Sequence, residues 1–259
     1  MDRFRPHIIF HAAAYKHVPM QESHPREAVL NNVLGTRNLV GLAIESEVER
    51  FVLVSTDKAV RPTNVMGATK RVAELFIESM NGKQVTRFVA VRFGNVFSSS
   101  GSVIPLFQQQ IASGGPVTVT HPEVTRYFMS IPEAAQLILQ AGAMGEGGEI
   151  FILDMGEPIR IVDMARDLIR LHGLEPDRDI AIEFTGLRPG EKLYEELITS
   201  GEGIVSTSHK KILVLRGKTL DAAALLAQIE SLLTIARQGD DEAIRRKLRD
   251  IVPEYHPQP

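Results

Sequence analysis

Cysteine is absent from the 259-residue chain, so disulfides, thiolate metal sites and a cysteine nucleophile are all excluded. No apolar run approaches the roughly 20 residues that a bilayer-spanning helix needs, and the short opening run carries His7 and His11, unlike a signal peptide. Acidic and basic side chains nearly balance, at 32 and 29, which argues against bulk electrostatic binding to nucleic acid or an anionic membrane. We therefore predict a cytoplasmic globular protein with no nucleic-acid partner.

A glycine-rich dinucleotide fingerprint is also absent. In dinucleotide-binding α/β domains, a G-x-G-x-x-G turn follows the first strand and places a helix N-terminus at the pyrophosphate. The nearest glycine cluster here, Gly145, Gly147 and Gly148, precedes a predicted strand rather than following one. We expect the Gly-rich first half of any such domain to lie outside the chain.

Apolar runs and helical patterns alternate along the first hundred residues. Three short apolar runs predict buried parallel strands and two amphipathic patterns predict helices between them, at residues 7–14, 25–44, 50–56, 64–82 and 86–96. This alternation is typical of a parallel α/β sheet.

The second part of the chain has a different character, with shorter strands and helices after Gly101. We therefore predict an α/β fold in two parts. Residues 1–100 would form the C-terminal half of an incomplete, doubly wound Rossmann-type domain. Residues 101–259 would form mainly a smaller, mixed α/β substrate-binding lobe, intertwined with the first.

Five stretches carry a family resemblance through their order and spacing. They are HAAAYKHVP from His11, STDKAVRPTNVMGATK from Ser55, VRFGNVFSSSGSVIP from Val91, TRYFMSIPEA from Thr125 and GLRPGEKLYEE from Gly186. Together they resemble the UDP-N-acetylglucosamine 4,6-dehydratases of bacterial polysaccharide biosynthesis, which are extended short-chain dehydrogenases/reductases. The resemblance implies bound NAD or NADP, which takes hydride from sugar C4 and returns it to C6 after water is lost across C5 and C6.

The resemblance also implies catalytic residues, with one departure from the superfamily pattern. Met66 stands four residues before Lys70, on the same helix face, where most members have a catalytic tyrosine. Lys70 would hold the nicotinamide ribose. Asp57 would protonate the departing C6 hydroxyl, Lys58 would remove the C5 proton, and Thr56, Asp57 or a water would relay the C4 hydroxyl proton. A subgroup of longer relatives with an N-terminal membrane region also has methionine there, so we interpret Met66 as a subgroup marker.

Binding residues follow from the same resemblance. The cofactor set is Ala12, Ala13, Ala14, Asn32, Ser55, Lys70 and Phe93. The UDP-sugar set is Lys16, Asn95, Arg126, Arg188 and Glu191, in which the guanidinium forks suit diphosphate oxygens. Solvated surface roles for Asn32, Lys16, Glu191 and the two arginines stay open.

A metal site is not expected, because His7 and His11 on a strand would lie about 13 Å apart. The favoured function is a UDP-N-acetylglucosamine 4,6-dehydratase that works as a homo-oligomer. A nucleotide-sugar 4-epimerase is the enzymatic alternative, although it needs no acid at C6. The alternative from another class is a non-catalytic remnant that binds a UDP-sugar.

Overall fold

A six-stranded sheet forms the centre of the protein, in a computed structural model that describes residues 1, 3–82, 85–198, 203–216 and 221–257. The strands in chain order are β1 Ile8–His11, β2 Arg50–Val54, β3 Arg87–Arg92, β4 Asn95–Val96, β5 Val117–Val119, β6 Thr125–Arg126, β7 Phe128–Met129, β8 Glu149–Leu153, β9 Ile159–Arg160, β10 Ile182–Phe184, β11 Ile204–Ser206 and β12 Ile212–Arg216.

The helices surround this sheet. In chain order they are α1 Val18–Ser23, α2 Pro25–Ala28, α3 Gly35–Glu45, α4 Val65–Met80, α5 Val103–Ala112, α6 Ile131–Met144, α7 Ile161–Leu171, α8 Ala222–Gln238 and α9 Asp241–Ile251. A π-helical turn, Val29–Leu34, joins α2 to α3, and a 3-10 turn, Asp57–Ala59, lies between β2 and α4. None of the helices in the described part of the chain is long and apolar enough to cross a membrane.

The strand order in the sheet is β1-β2-β3-β8-β12-β11. The first four strands are parallel, whereas β12 and β11 run antiparallel to their neighbours. Helices cover both faces: α3, α4, α8 and α9 share one apolar core with the sheet, and α6 contributes to the other. This confirms the predicted α/β class. Because the carboxyl ends of parallel strands meet at one edge, the residues after β1, β2 and β3 are brought together.

The first strand departs from the sequence prediction in its burial. It pairs in parallel with β2, as expected, but Ile8 and Phe10 are 44% and 40% exposed rather than buried. The reason is position: among the described residues, β1 is an edge strand with β2 as its sole partner. A hydrophobic pattern identifies a strand but does not tell whether a neighbour covers it.

Segments beyond residue 100 contribute to three apolar cores, one on each face of the central sheet and one outside it. Strands β8, β11 and β12 belong to the central sheet, and α8 and α9 pack on α4. A further apolar cluster is built around α5, α7 and β5, which pairs with β10 in a two-stranded sheet. The division between residues 100 and 101 therefore stays a prediction about domains.

Candidate active site

A cavity of about 610 Å³ lies between the carboxyl ends of the central strands and the apolar cluster around α5, α7 and β5. Residues from all five sequence motifs line it. Most of the predicted site residues contribute to its wall. Asp57, Ala13 and Asn32 do not line it.

Asp57 lies directly behind the cavity wall. Its carboxylate is completely buried, and Oδ1 accepts hydrogen bonds from Thr56 Oγ1 at 2.8 Å and from Lys58 Nζ at 3.0 Å. Its Oδ2 has no hydrogen-bond partner among the described residues. Because Thr56 and Lys58 both line the cavity, they connect the hidden carboxylate to it.

Two glycines make this buried position possible. A Cβ on Gly94 would lie 3.2 Å from Asp57 Oδ2, so glycine leaves room beside that oxygen. A Cβ on Gly67, in the first turn of α4, would lie only 2.1 Å from the carbonyl oxygen of Lys58. The 3-10 turn that carries Asp57 and Lys58 therefore rests directly on the start of α4.

Lys58 lies between two carboxylates. Its Nζ is 3.0 Å from Asp57 Oδ1, 3.6 Å from Glu195 Oε1 and 3.4 Å from Asn95 Oδ1. Burial alone would lower the pKa of Lys58, but the charges of Asp57 and Glu195 outweigh burial and raise it. The ammonium form is therefore favoured at neutral pH, and the predicted role as a base requires a change in its surroundings.

Met66 and Lys70 share the cavity-facing side of α4, as their spacing predicts. Both are buried, and Lys70 Nζ donates to the carbonyl oxygen of Val54 at 2.7 Å. Burial lowers the pKa of Lys70 to about 8, although the nearby Glu74 acts in the opposite direction. A thioether has no proton to transfer, so Lys70 has no titratable partner at position 66.

The predicted cofactor residues fall into two groups. Ala12, Ala14, Ser55 and Phe93 line the cavity with Lys70, and their placement fits the nicotinamide end of a dinucleotide. Asn32 has a different position: its buried amide accepts from the Tyr15 N–H at 2.8 Å and donates to Tyr15 O and Thr69 Oγ1. Asn32 thereby fixes the segment after β1 against α4. Because Asn32 is only 1% exposed, the alternative that it is a solvated surface residue is wrong.

All five residues of the predicted substrate set line the cavity, and two of them, Lys16 and Asn95, come from the first and third motifs. Lys16 Nζ donates to Ser99 Oγ at 3.2 Å. Burial and the positive charge of Lys58 lower the pKa of Lys16. Lys58 is already paired with Asp57 and Glu195, so Lys16 rather than Lys58 is the ammonium group that favours an anionic ligand in the cavity.

The carboxylate of Glu191 joins Arg126 to Arg188. Its Oε1 lies 3.3 Å from Arg126 Nη2, and its Oε2 lies 3.3 Å from Arg188 Nε. Arg126 is buried and also donates to the carbonyl oxygens of Thr125, Lys192 and Leu193, whereas the Arg188 side chain is 58% exposed. Arg126 thus holds the 191–193 segment in place, and Arg188 is the freer cation.

Two buried carboxylates near the site were missed by the sequence analysis. Glu74 is fully buried and accepts two hydrogen bonds from Arg92, at 2.8 and 2.7 Å, and one from Ser55 Oγ at 2.6 Å. Glu195 is also buried and lines the cavity beside Lys58. Glu74 lies on a helix whose helical pattern was clear, but its partner on β3 has no local signal. Glu195 lies within the GLRPGEKLYEE motif, which was the one available indication.

A family comparison agrees with the motifs. Residues 1–217 match the model of a family described as "Polysaccharide biosynthesis protein". The chain belongs to this polysaccharide biosynthesis family. The match confirms the polysaccharide biosynthesis family that the five motifs predicted.

Individual relatives give the same grouping. The chain is 61% identical over 219 residues to the capsular polysaccharide biosynthesis protein CapD of Staphylococcus aureus, covering 84% of this chain and 36% of that protein. It is 41% identical over 195 residues to a UDP-glucose 4-epimerase of Rickettsia canadensis, covering 74% of this chain and 56% of that protein. The X-ray structure of Pen from Bacillus thuringiensis is 40% identical, with a TM-score of 0.76, over 82% of this chain and 67% of that one. The chain thus spans little more than a third to about half of these curated relatives' length.

Proposed function

We propose that the protein is a nucleotide-sugar 4,6-dehydratase that converts UDP-N-acetylglucosamine to UDP-2-acetamido-2,6-dideoxy-4-hexulose in polysaccharide biosynthesis. The observation that carries this proposal is the Asp57 carboxylate, joined to the cavity by Thr56 and Lys58. Loss of water across C5 and C6 needs an acid at the leaving hydroxyl and a base at C5. C4 oxidation alone needs neither.

Thr56 and Asp57 would together accept the C4 hydroxyl proton. The C4 hydroxyl proton would pass through Thr56 Oγ1 to Asp57, because the hydroxyl lies on the cavity wall and already donates to that carboxylate. Protonated Asp57 would then supply the proton that leaves with the C6 hydroxyl as water. Lys58, in its neutral form, would remove the proton from C5. This division of roles needs no proton donor at Met66.

NAD or NADP, when bound, would accept hydride from C4 and return it to C6. Lys70 and Ser55 would contact its nicotinamide ribose, while the small side chains of Ala12 and Ala14 allow close approach. In the described part of the chain, no strand is followed by a Gly-rich turn that opens a helix, so these residues fit the nicotinamide end alone.

Four cavity-lining residues would bind the UDP-sugar: Lys16, Asn95, Arg126 and Arg188. Arg188 is exposed enough to turn its fork from Glu191 to a diphosphate, a geometry that guanidinium groups favour. A cytoplasmic location, a homo-oligomeric state and a longer membrane-anchored form belong to the same proposal.

The test is to join a Gly-rich dinucleotide-binding half to the N-terminus of this chain, to incubate that protein with UDP-N-acetylglucosamine and NAD⁺ or NADP⁺, and to follow the product by mass spectrometry. We expect a product lighter by one water. Asp57→Asn should slow its formation by about 10²–10⁴-fold, the usual contribution of a positioned acid, while UDP binding measured by calorimetry stays unchanged.

The matched control is Asp163→Asn, which changes a half-exposed carboxylate on α7 that pairs with Arg160. It should keep the full rate. Turnover by Asp57→Asn close to that of the unmodified protein would remove Asp57 from the mechanism.

A nucleotide-sugar 4-epimerase is the second candidate, favoured by the 41% identity to the rickettsial protein of that name. Its product would have the mass of the substrate, so the same measurement separates the two reactions. UDP binding without any product would instead favour the non-catalytic alternative.

A further inference from the structure

A second buried carboxyl lies beside Lys58, and the reaction proposed above gives it no role. The Glu195 side chain is 3% exposed, and its Oε1 lies 3.6 Å from Lys58 Nζ. Its Oε2 has no hydrogen-bond partner among the described residues, although the residue lines the cavity. Because an unsatisfied buried oxygen is costly, this position calls for an explanation.

The protonation state that the proposed reaction requires of Lys58 explains the position of Glu195. Lys58 must be neutral before it can take the C5 proton, yet Asp57 and Glu195 hold it as an ammonium ion. When Asp57 takes up the C4 hydroxyl proton, its negative charge disappears and so does its attraction for that ammonium. Among the described residues, Glu195 is then the carboxylate that still pairs with Lys58.

We propose that Glu195 is a proton-holding residue, which takes the proton of Lys58 while the sugar is dehydrated. The N–H bond at Lys58 Nζ breaks and an O–H bond forms on Glu195, which leaves a neutral amine and a neutral carboxyl. The amine takes the C5 proton, and the C6 hydroxyl leaves as water with the proton held by Asp57. When hydride returns to C6, Lys58 gives its proton back to C5, and Glu195 then returns the stored proton to Lys58. The inference rests on the proposed 4,6-dehydratase function.

The surroundings of the pair are consistent with a shared proton. Burial first, and then the charge of Asp57, raise the pKa of Glu195, whereas Lys58, Arg126 and Lys192 lower it, with a net rise. The charged groups that face Lys58 are Asp57, Glu195, Arg126 and Lys16. Glu195 therefore accepts a proton more readily than an ordinary glutamate does. It also lies beside Lys58, the amine that has to lose a proton in the proposed reaction.

Hydrogen exchange at C5 isolates this step, because it requires proton transfer but no hydride transfer. The 4-hexulose product is incubated with the protein in D2O, and deuterium at C5 is followed by NMR across neutral and mildly alkaline pH. The unmodified protein should exchange at a rate that depends little on pH, since the proton moves within the site. Glu195→Gln should exchange about 10²-fold more slowly at neutral pH and recover as the pH rises, because Lys58 must then lose its proton to solvent.

The matched control is Glu196→Gln, which alters the neighbouring carboxylate that pairs with Arg61 and is 38% exposed. It should exchange like the unmodified protein. Equal exchange by Glu195→Gln and the unmodified protein would overturn the role of Glu195 and leave the proposed function intact. A slower rate with an unchanged pH profile would also overturn it, because a purely structural role has that signature.

UDP binding measured by calorimetry shows whether each variant is folded. A second variant keeps the test decisive if Glu195→Gln does not fold. Glu195→Asp retains a carboxyl but withdraws it by one methylene, so exchange should slow about tenfold with the pH profile still flat. An unmodified rate in Glu195→Asp would overturn the inference. No C5 exchange by the unmodified protein would contradict the 4,6-dehydratase function itself, and with it the role of Glu195.

Discussion

At the scale of single residues, Glu74 joins α4 to two strands of the central sheet. Its carboxylate joins Arg92 on β3, Ser55 at the end of β2 and Arg71 on α4. Arg71 extends the chain of contacts to Glu254, beyond α9. The strand end that leads into Thr56 and Asp57 is thus held against α4 by one buried, fully engaged carboxylate.

Glu74→Gln should therefore be strongly destabilising, because it leaves the buried Arg92 without its countercharge. We expect a loss of about 3–5 kcal/mol in the free energy of unfolding, measured by urea denaturation. The control is Glu230→Gln, which breaks the partly exposed pair with Arg37. That change should cost less than about 1 kcal/mol. Similar losses in both variants would contradict the special role of the buried pair.

The same residue predicts a pH dependence. Burial alone would raise the pKa of Glu74, but Arg92, Arg71 and Ser55 outweigh it and lower the pKa from 4.5 to about 2. A carboxyl whose pKa is lower in the folded state binds fewer protons there than in the unfolded chain. Its contribution is complete above pH 4.5 and is lost as the pH falls towards 2. Urea midpoints across this window should fall in the unmodified protein more steeply than in Glu74→Gln.

At the scale of elements, α4 does two jobs at once. Asn64 caps its first turn by accepting from the Gly67 N–H at 2.7 Å, and Met66 and Lys70 face the cavity. Its remaining sides are covered by the sheet, α8 and α9, so nearly the whole helix is buried. The position of its first turn sets the position of the 3-10 turn that carries Asp57 and Lys58, because Gly67 contacts Lys58.

Gly67→Ala should thus lower stability and activity together. The new methyl group would overlap the Lys58 carbonyl oxygen and push the turn away, at a cost of about 1–3 kcal/mol by thermal or urea unfolding. The control, Gly41→Ala in α3, meets no atom within 4 Å. It should raise stability by about 0.5–1 kcal/mol, since alanine favours a helix interior. A neutral effect at Gly67 would show that the turn and α4 are not in firm contact.

At the scale of the whole molecule, the open flank of β1 is an exposed apolar edge of the central sheet. Its outer N–H and C=O groups have no strand beside them among the described residues, and the exposed Ile8 and Phe10 side chains flank that edge. Edge strands with apolar side chains are templates for pairing with another chain. This edge is therefore where we expect association of this chain with itself.

Sedimentation velocity should accordingly show self-association of the 259-residue chain. Phe10→Lys or Ile8→Lys should shift it towards the monomer, because a charge on an edge strand opposes pairing. Leu171→Lys is the control: it changes an 80% exposed leucine at the end of α7, a helix outside the central sheet, and should leave association unchanged. A chain that is monomeric at every concentration would contradict the expectation.

The sequence by itself determined the features that depend on near neighbours along the chain. The periodicity of residues 64–82 predicted α4, and Asn64 caps it as expected. The strand–helix alternation predicted the α/β class, and five ordered motifs predicted the family. Most of the site residues taken from those motifs line the cavity. These signals are local, because hydrophobic spacing and capping chemistry act within a few residues.

Only the tertiary structure decided which distant groups meet. Glu74 meets Arg92 across 18 residues, and Glu195 meets Lys58 across 137 residues of sequence. It also placed Asp57 behind Thr56 rather than on the cavity wall, and left β1 at an edge. Strand order, register and close contacts such as Gly67 with Lys58 set these distances, and no periodicity in the sequence encodes them. The charge state of Lys58 depends on those distances, since electrostatic attraction falls with separation and strengthens with burial.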